Sequence, residues 1–157
     1  MVNYLVGIHA GFGELGALLF LWLFVELLNP SKSRIKRAKI VAVLGTIFIF
    51  LSWFAGGYSY VNDYGTNVKP LIKAGPSPWA HSIFTESKEH IFLFLPFLSI
   101  LASSMVFAYG NKLETDKKAR LAALILSMTI LLIALMMAGM GYLISTGART
   151  ALEAKII

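Results

Sequence analysis

Three histidines, His9, His81 and His90, are the side chains best suited to chemistry. A neutral imidazole offers a lone pair to a metal and a proton to a partner, so the residue serves as ligand or relay. His9 and His90 fall at or just inside apolar runs, where an ionisable side chain is costly and marks a working site. All three fall toward the same end of a chain that folds back on itself. Paired histidines on neighbouring helices are a usual way to hold haem iron. The spacing therefore points to His9 and His90 as axial ligands in the outer half of a bundle, with His81 as the alternative.

Glycines cluster near that depth. Gly7, Gly11 and Gly13 lie in the first apolar run, Gly56 and Gly57 at the end of the second, and Gly139 and Gly141 toward the end of the fourth. Small residues let helices pack closely, and the same notches leave room for a flat macrocycle. The haem reading takes Gly11, Gly13, Gly56, Gly57, Gly139 and Gly141 as the walls of the site. Phe12, Trp53, Phe54 and Phe84 are its aromatic lining, and Lys69, Lys73 and Arg149 its propionate partners. Met136, Met137 and Met140 are alternative ligands, with apolar packing the commoner role for methionine.

Glu14 poses a separate question. It sits about 16 Å below Asn3 by helix rise. A charge at that depth costs at least roughly 2.5–3.5 kcal/mol, so the carboxyl is protonated, paired or facing a polar cavity. Ser52 and Thr46 are its expected partners, and a proton relay or quinone contact its functional reading. Five residues separate it from His9, about 140° around a helix, so the two share no stripe. Glu26, by contrast, reaches the nearby basic loop.

The elements that must position these groups are apolar helices. Of 157 residues, 57% are hydrophobic and 14% charged, well below the charged share of a soluble domain. Four runs at about 4–28, 40–58, 91–109 and 121–144 each approach the length needed to span a bilayer. The pattern predicts an all-α integral membrane protein: one domain, a four-helix up-down bundle with both termini outside. The first run exceeds a signal-peptide core and lacks a basic flank, which reads as a membrane span. Asn29-Pro30-Ser31 ends helix 1, Thr85 or Ser87 caps helix 3, Pro96 kinks it, and Thr146-Gly147 stops helix 4. Residues between helices 2 and 3, rich in Tyr, Pro and Gly, read as one long outer loop capping the site.

The net charge of +6 is concentrated in two turns. Nine of the 14 basic residues occupy 29–39 and 110–120. That bias makes both turns cytoplasmic, in a cytoplasmic (inner) membrane. It also argues against a nucleic-acid partner. Cysteine is absent, so there is no thiolate ligand and no c-type haem attachment.

In span pattern, and in His9 and His90, the chain resembles small four-helix membrane b-type cytochromes. The resemblance implies haem b held between helices 1 and 3 and electrons passed to quinones or to other redox subunits, within a homo- or hetero-oligomer. It points to an electron-transfer subunit rather than an independent enzyme. Three histidines fall short of the four that two bis-histidine haems need, which argues for one haem, or for a second with an unusual ligand. The competing readings are a cofactor-free accessory subunit, a proton or metal-ion transport module, and a zinc or copper site made of His81, His90 and Glu86 or Glu89.

Overall fold

The computed structural model describes residues 4–154; the chain ends, expected on the outer side, lie outside that range. Every element described is helical. Helix α1 spans Tyr4–Leu28, α2 Lys32–Ser59, α3 Lys69–Ala74, α4 Glu86–Phe92, α5 Phe94–Tyr109 and α6 Lys117–Ala154. Wide π-helical turns at Tyr60–Val68 and Ala80–Thr85 join α2 to α3 and lead into α4. A 3-10 turn, Gly110–Glu114, follows α5. The result is four rods, Tyr4–Leu28, Lys32–Ala74, Ala80–Glu114 and Lys117–Ala154, each long and apolar enough to cross a membrane.

The expected long outer loop is not a loop. Helix continues through residues 60–74 and resumes at Ala80, leaving a short break around Gly75, Pro76, Ser77 and Pro78. Tyr60 and Tyr64 stack at 5.4 Å, a four-residue pairing that supports helix. Pro70 sits in the first turn of α3, where no donor is needed. The closely spaced Pro76 and Pro78 do break the helix, because each removes a donor and restricts the residue before it. Helix restarts there rather than at Thr85: the amides of His81 and Ser82 both donate to the Pro78 carbonyl at 3.1 Å. The final helix also runs past its expected stop. Gly147 is buried against Ala80, where an added Cβ would come within 2.6 Å of the Ala80 Cβ.

Other local signals act as expected. Helix α1 ends at Leu28, just before Asn29-Pro30-Ser31. Ser31 caps α2 through the Arg34 amide at 3.4 Å. Asp116 accepts from the Lys118 and Ala119 amides and starts α6. Leu93 separates α4 from α5, one turn before Pro96, whose ring cannot supply the donor that the Phe92 carbonyl would accept. Gly110 turns the chain out of α5 at a φ of +49°, a conformation that suits glycine.

Around the bundle, α1 packs on α2, α2 on α5, α5 on α6, and α6 back on α1. The apolar core lies in the half nearer the basic turns, around Phe20, Leu23, Leu27, Ile35, Val106 and Leu113. There Glu26 is 4% exposed and clamped. It accepts from Arg34 Nε at 2.9 Å, Arg37 Nε at 2.7 Å and Trp22 Nε1 at 2.9 Å. Arg34 also donates to the Val25 and Asn29 carbonyls, so it caps the end of α1 as well. In the middle, the Thr46 hydroxyl lies 3.0 Å from the Ser99 carbonyl and 2.8 Å from Ser103 Oγ, which donates to the Ala42 carbonyl. These bonds tie α2 to α5.

Close approach of α1 and α2 depends on two glycines. A Cβ on Gly16 would lie 2.9 Å from Ile49 Cδ1, and one on Gly45 would lie 3.0 Å from the Phe20 ring. Gly139, on α6, meets nothing within 4 Å. Gly45→Leu should therefore destabilise the bundle by roughly 1–3 kcal/mol through overpacking. Gly139→Leu should leave it unchanged. Thermal unfolding in detergent micelles reads both; equal midpoints for the two variants would contradict the packing.

Candidate cofactor site

The half of the bundle away from the basic turns adds polar side chains to an interior that also holds Ile72, Ala80 and Ala151. Ser52, Ser59, His81 and Thr85 are buried there, and His9 is half-buried on the α1–α2 seam. His9 Nδ1 lies 2.8 Å from the Ser52 carbonyl and 3.0 Å from Ser52 Oγ. The Ser52 hydroxyl donates to the His9 carbonyl at 2.8 Å. A hydroxyl has one hydrogen and a carbonyl has none, so the remaining proton belongs on Nδ1. That tautomer leaves the Nε2 lone pair free, the usual preparation of a metal-ligating histidine.

Glycine makes the joint possible. A Cβ on Gly56 would come within 2.7 Å of His9 Nδ1, and one on Gly13 within 3.1 Å of Ser52 Oγ. These two notches are thus filled by the joint itself and are not free for a macrocycle. A Cβ added at Gly141 would lie 3.1 Å from Lys88 Nζ, while Gly7, Gly11, Gly57 and Gly139 face open space. Arg149 is exposed on α6.

Aromatic rings surround the joint. Phe92 meets the His9 ring edge-on at 6.0 Å, and Trp53 stacks on Phe92 at 5.9 Å. Beside them runs an open groove of about 700 Å³ lined by Trp53, Phe54, Gly57, Tyr58 and Phe92 among others. Among the described residues, three buried side-chain polar atoms have no hydrogen-bond partner: Trp53 Nε1 and Glu89 Oε1 at this end, and Glu114 Oε1 near the basic turns.

The histidine pair expected from the sequence is not brought together. His90 is exposed, and its Nδ1 donates to the Glu86 carbonyl one turn back at 2.7 Å. Phe92, which faces His9, is two residues on from His90. Two residues turn a helix by about 200°, so His90 points away from His9. Like His9, His90 has Nδ1 held by a carbonyl, which leaves its Nε2 as the free nitrogen.

His81, expected in a solvated or hydrogen-bonded loop, is instead buried at 2% exposure inside a second polar cluster. Tyr64 Oη lies 3.0 Å from His81 Nδ1 and 2.7 Å from Thr85 Oγ1, and the Thr85 hydroxyl donates to the Ala80 carbonyl. His81 Nε2 is 3.8 Å from Glu86 Oε1. The expected zinc or copper set does not assemble. No group of three or more His, Asp or Glu side chains placed to hold a metal occurs among the described residues.

Glu14 also departs from expectation. Ser52 is engaged by His9, and Thr46 by Ser99 and Ser103. Glu14 is exposed on the outside of α1. Sequence reasoning missed Ser52, Tyr64, Thr85 and Lys88 as site residues. One signal was present: His81, Thr85, Lys88 and Phe92 recur every three to four residues, which is one face of a helix.

The fold and site define, over the described residues, an all-helical bundle with four membrane-length apolar helices and polar, aromatic-lined clusters at the end away from the basic turns. Comparison with protein-family models, curated proteins and solved structures finds no match to this chain.

Tyr64 holds the outer cluster together. Tyr64→Phe strands the buried imidazole and should lower stability by about 1–2 kcal/mol. Tyr58→Phe, at an exposed position, should have no effect. Thermal unfolding of the two variants side by side tests this, and equal loss in both would refute it.

Proposed function

We propose that the protein is an integral membrane electron-transfer subunit that carries one haem b on His9. The observation that supports this most is the His9–Ser52 joint. It fixes the imidazole, assigns its tautomer and leaves Nε2 as the ligating atom. The surroundings supply apolar surface: Phe92 packs against the His9 ring, and Phe92 and Trp53 line a groove along α2 that His9 itself does not line. Lys88 Nζ and the orphaned Trp53 N–H are suited to propionates. Bound there, haem supplies a one-electron couple. The chain's own residues hold the iron ligand, exclude water with aromatic rings and place cations near the carboxylates.

His9 is the fixed ligand in this reading. His90 faces elsewhere, so a bis-histidine bracket would need α4 to turn about its axis. In the proposed topology the basic turns are cytoplasmic and the His9 and His81 clusters lie in the outer leaflet. Electron partners are then quinones or redox subunits reaching the outer face. Glu14, pointing away from His9, has no part in the haem site.

A second reading is a cofactor-free accessory subunit. It is favoured by the way Ser52 engages both the His9 ring and its carbonyl, which alone would justify the pair as a helix clamp. The two readings separate in protein purified from haem-replete cells: the first gives a haem-loaded wild type and the second a haem-free one, and ligand variants then test the first. His9→Ala should lose nearly all haem, while His90→Ala should keep most of it. Loss of haem in both variants would restore the paired bracket. Haem retained in His9→Ala would reject His9 as the ligand.

A further inference from the structure

Helix α1 carries a second pattern on the side turned away from the bundle. Gly7, Gly11, Glu14, Leu18, Leu21 and Val25 recur at alternating four- and three-residue steps. On a helix these positions stay within about 40° of one line. His9 lies some 200° from Gly7 and points at α2, so this stripe is the opposite face. Its exposure agrees: Leu18 is 59% exposed, Leu21 39% and Val25 42%. Gly7 and Gly11 have nothing within 4 Å of an added Cβ. Two glycines four apart on an apolar helix are the usual signature of close helix crossing in membranes.

Glu14 supplies the independent observation. In the spans at 4–28, 40–58, 91–109 and 121–144, the only charged residue types are Glu14 and Glu26. Glu26 is held by two arginines and a tryptophan. Glu14 is exposed on the stripe, one turn from the glycine notch. If α1 crosses the membrane as proposed above, on which this inference rests, that carboxyl faces hydrocarbon. Hydrocarbon offers it no hydrogen bond, so something must cover it.

We propose that a second copy of this chain covers it, α1 against α1 about a two-fold axis. The helices cross at Gly7 and Gly11, and the two Glu14 carboxyls hydrogen-bond to each other. Three features favour a second copy over a different partner. A two-fold contact brings a patch onto itself, and this stripe is self-complementary, with notches at one end and aliphatic side chains at the other. A carboxyl that holds its proton both donates and accepts, so two identical groups satisfy one another. The spans also contain no lysine or arginine, so the chain offers Glu14 no cation at that depth.

The absence of cysteine makes the test clean. Ala10→Cys, beside the notch, and Leu101→Cys, on the exposed face of α5, are reconstituted as full chains in dilute lipid vesicles and oxidised. Ala10→Cys should form a disulfide dimer and Leu101→Cys should not. Adding Glu14→Leu to Ala10→Cys should weaken dimerisation roughly tenfold, while Glu14→Gln, which can still pair, should largely preserve it. Carbonate extraction is run on the same vesicles. A chain that washes off overturns the membrane reading and the dimer with it. A chain that resists extraction yet fails to cross-link at Ala10→Cys, or cross-links equally with Glu14→Leu, overturns the dimer alone.

Discussion

The half of this bundle away from the basic turns depends on one joint, in which His9 and Ser52 each satisfy the other across the α1–α2 seam. Ring nitrogen meets carbonyl, and hydroxyl meets carbonyl, within 2.8 Å in both directions. The joint fits only because Gly56 and Gly13 carry no side chain. It fixes where the imidazole points and which nitrogen keeps its lone pair. It also sets the depth at which Phe92 and Trp53 meet, since Phe92 packs on the His9 ring and Trp53 on Phe92. A seam built from apolar contacts alone would hold the helices equally close, but would leave nothing to coordinate.

The two ends of the bundle solve different problems. Near the basic turns, apolar packing and the Glu26 clamp fill the interior, and one buried carboxylate oxygen, Glu114 Oε1, has no partner. Buried ion pairs of this kind specify geometry more than they add stability. At the other end, polar side chains share the interior with Ile72, Ala80 and Ala151, helical geometry widens into π-turns, and two buried polar atoms go without partners. Wide turns and unmet polar groups are typical of functional rather than structural regions.

Much of the architecture was legible because lipid-length apolar runs leave few alternatives. The run at 4–28 matches α1 residue for residue, Ser31 and Asp116 cap as their types suggest, and the helix breaks one turn before Pro96. The outer segment was not legible. Its tyrosines, prolines and glycines suggest a loop by composition, whereas Tyr60 and Tyr64 stack at helical spacing and Pro70 occupies a first turn. Gly147 looked like a stop and proved to be a contact with Ala80. The site was half legible. His9 stood out from its depth, but its partner Ser52 is 43 residues away, and no local pattern links them. The direction of His90 was not legible, because depth along a helix is visible in a sequence while direction depends on which neighbour Phe92 packs against.

The absorption spectrum of the intact chain, purified in detergent from haem-replete cells and recorded oxidised and dithionite-reduced, tests the central claim most directly. The account predicts a b-type spectrum, with about one haem per chain by pyridine haemochrome on the one-ligand site described. A colourless protein that takes up no haem on titration would contradict it, and would leave the His9–Ser52 joint as a clamp between two helices.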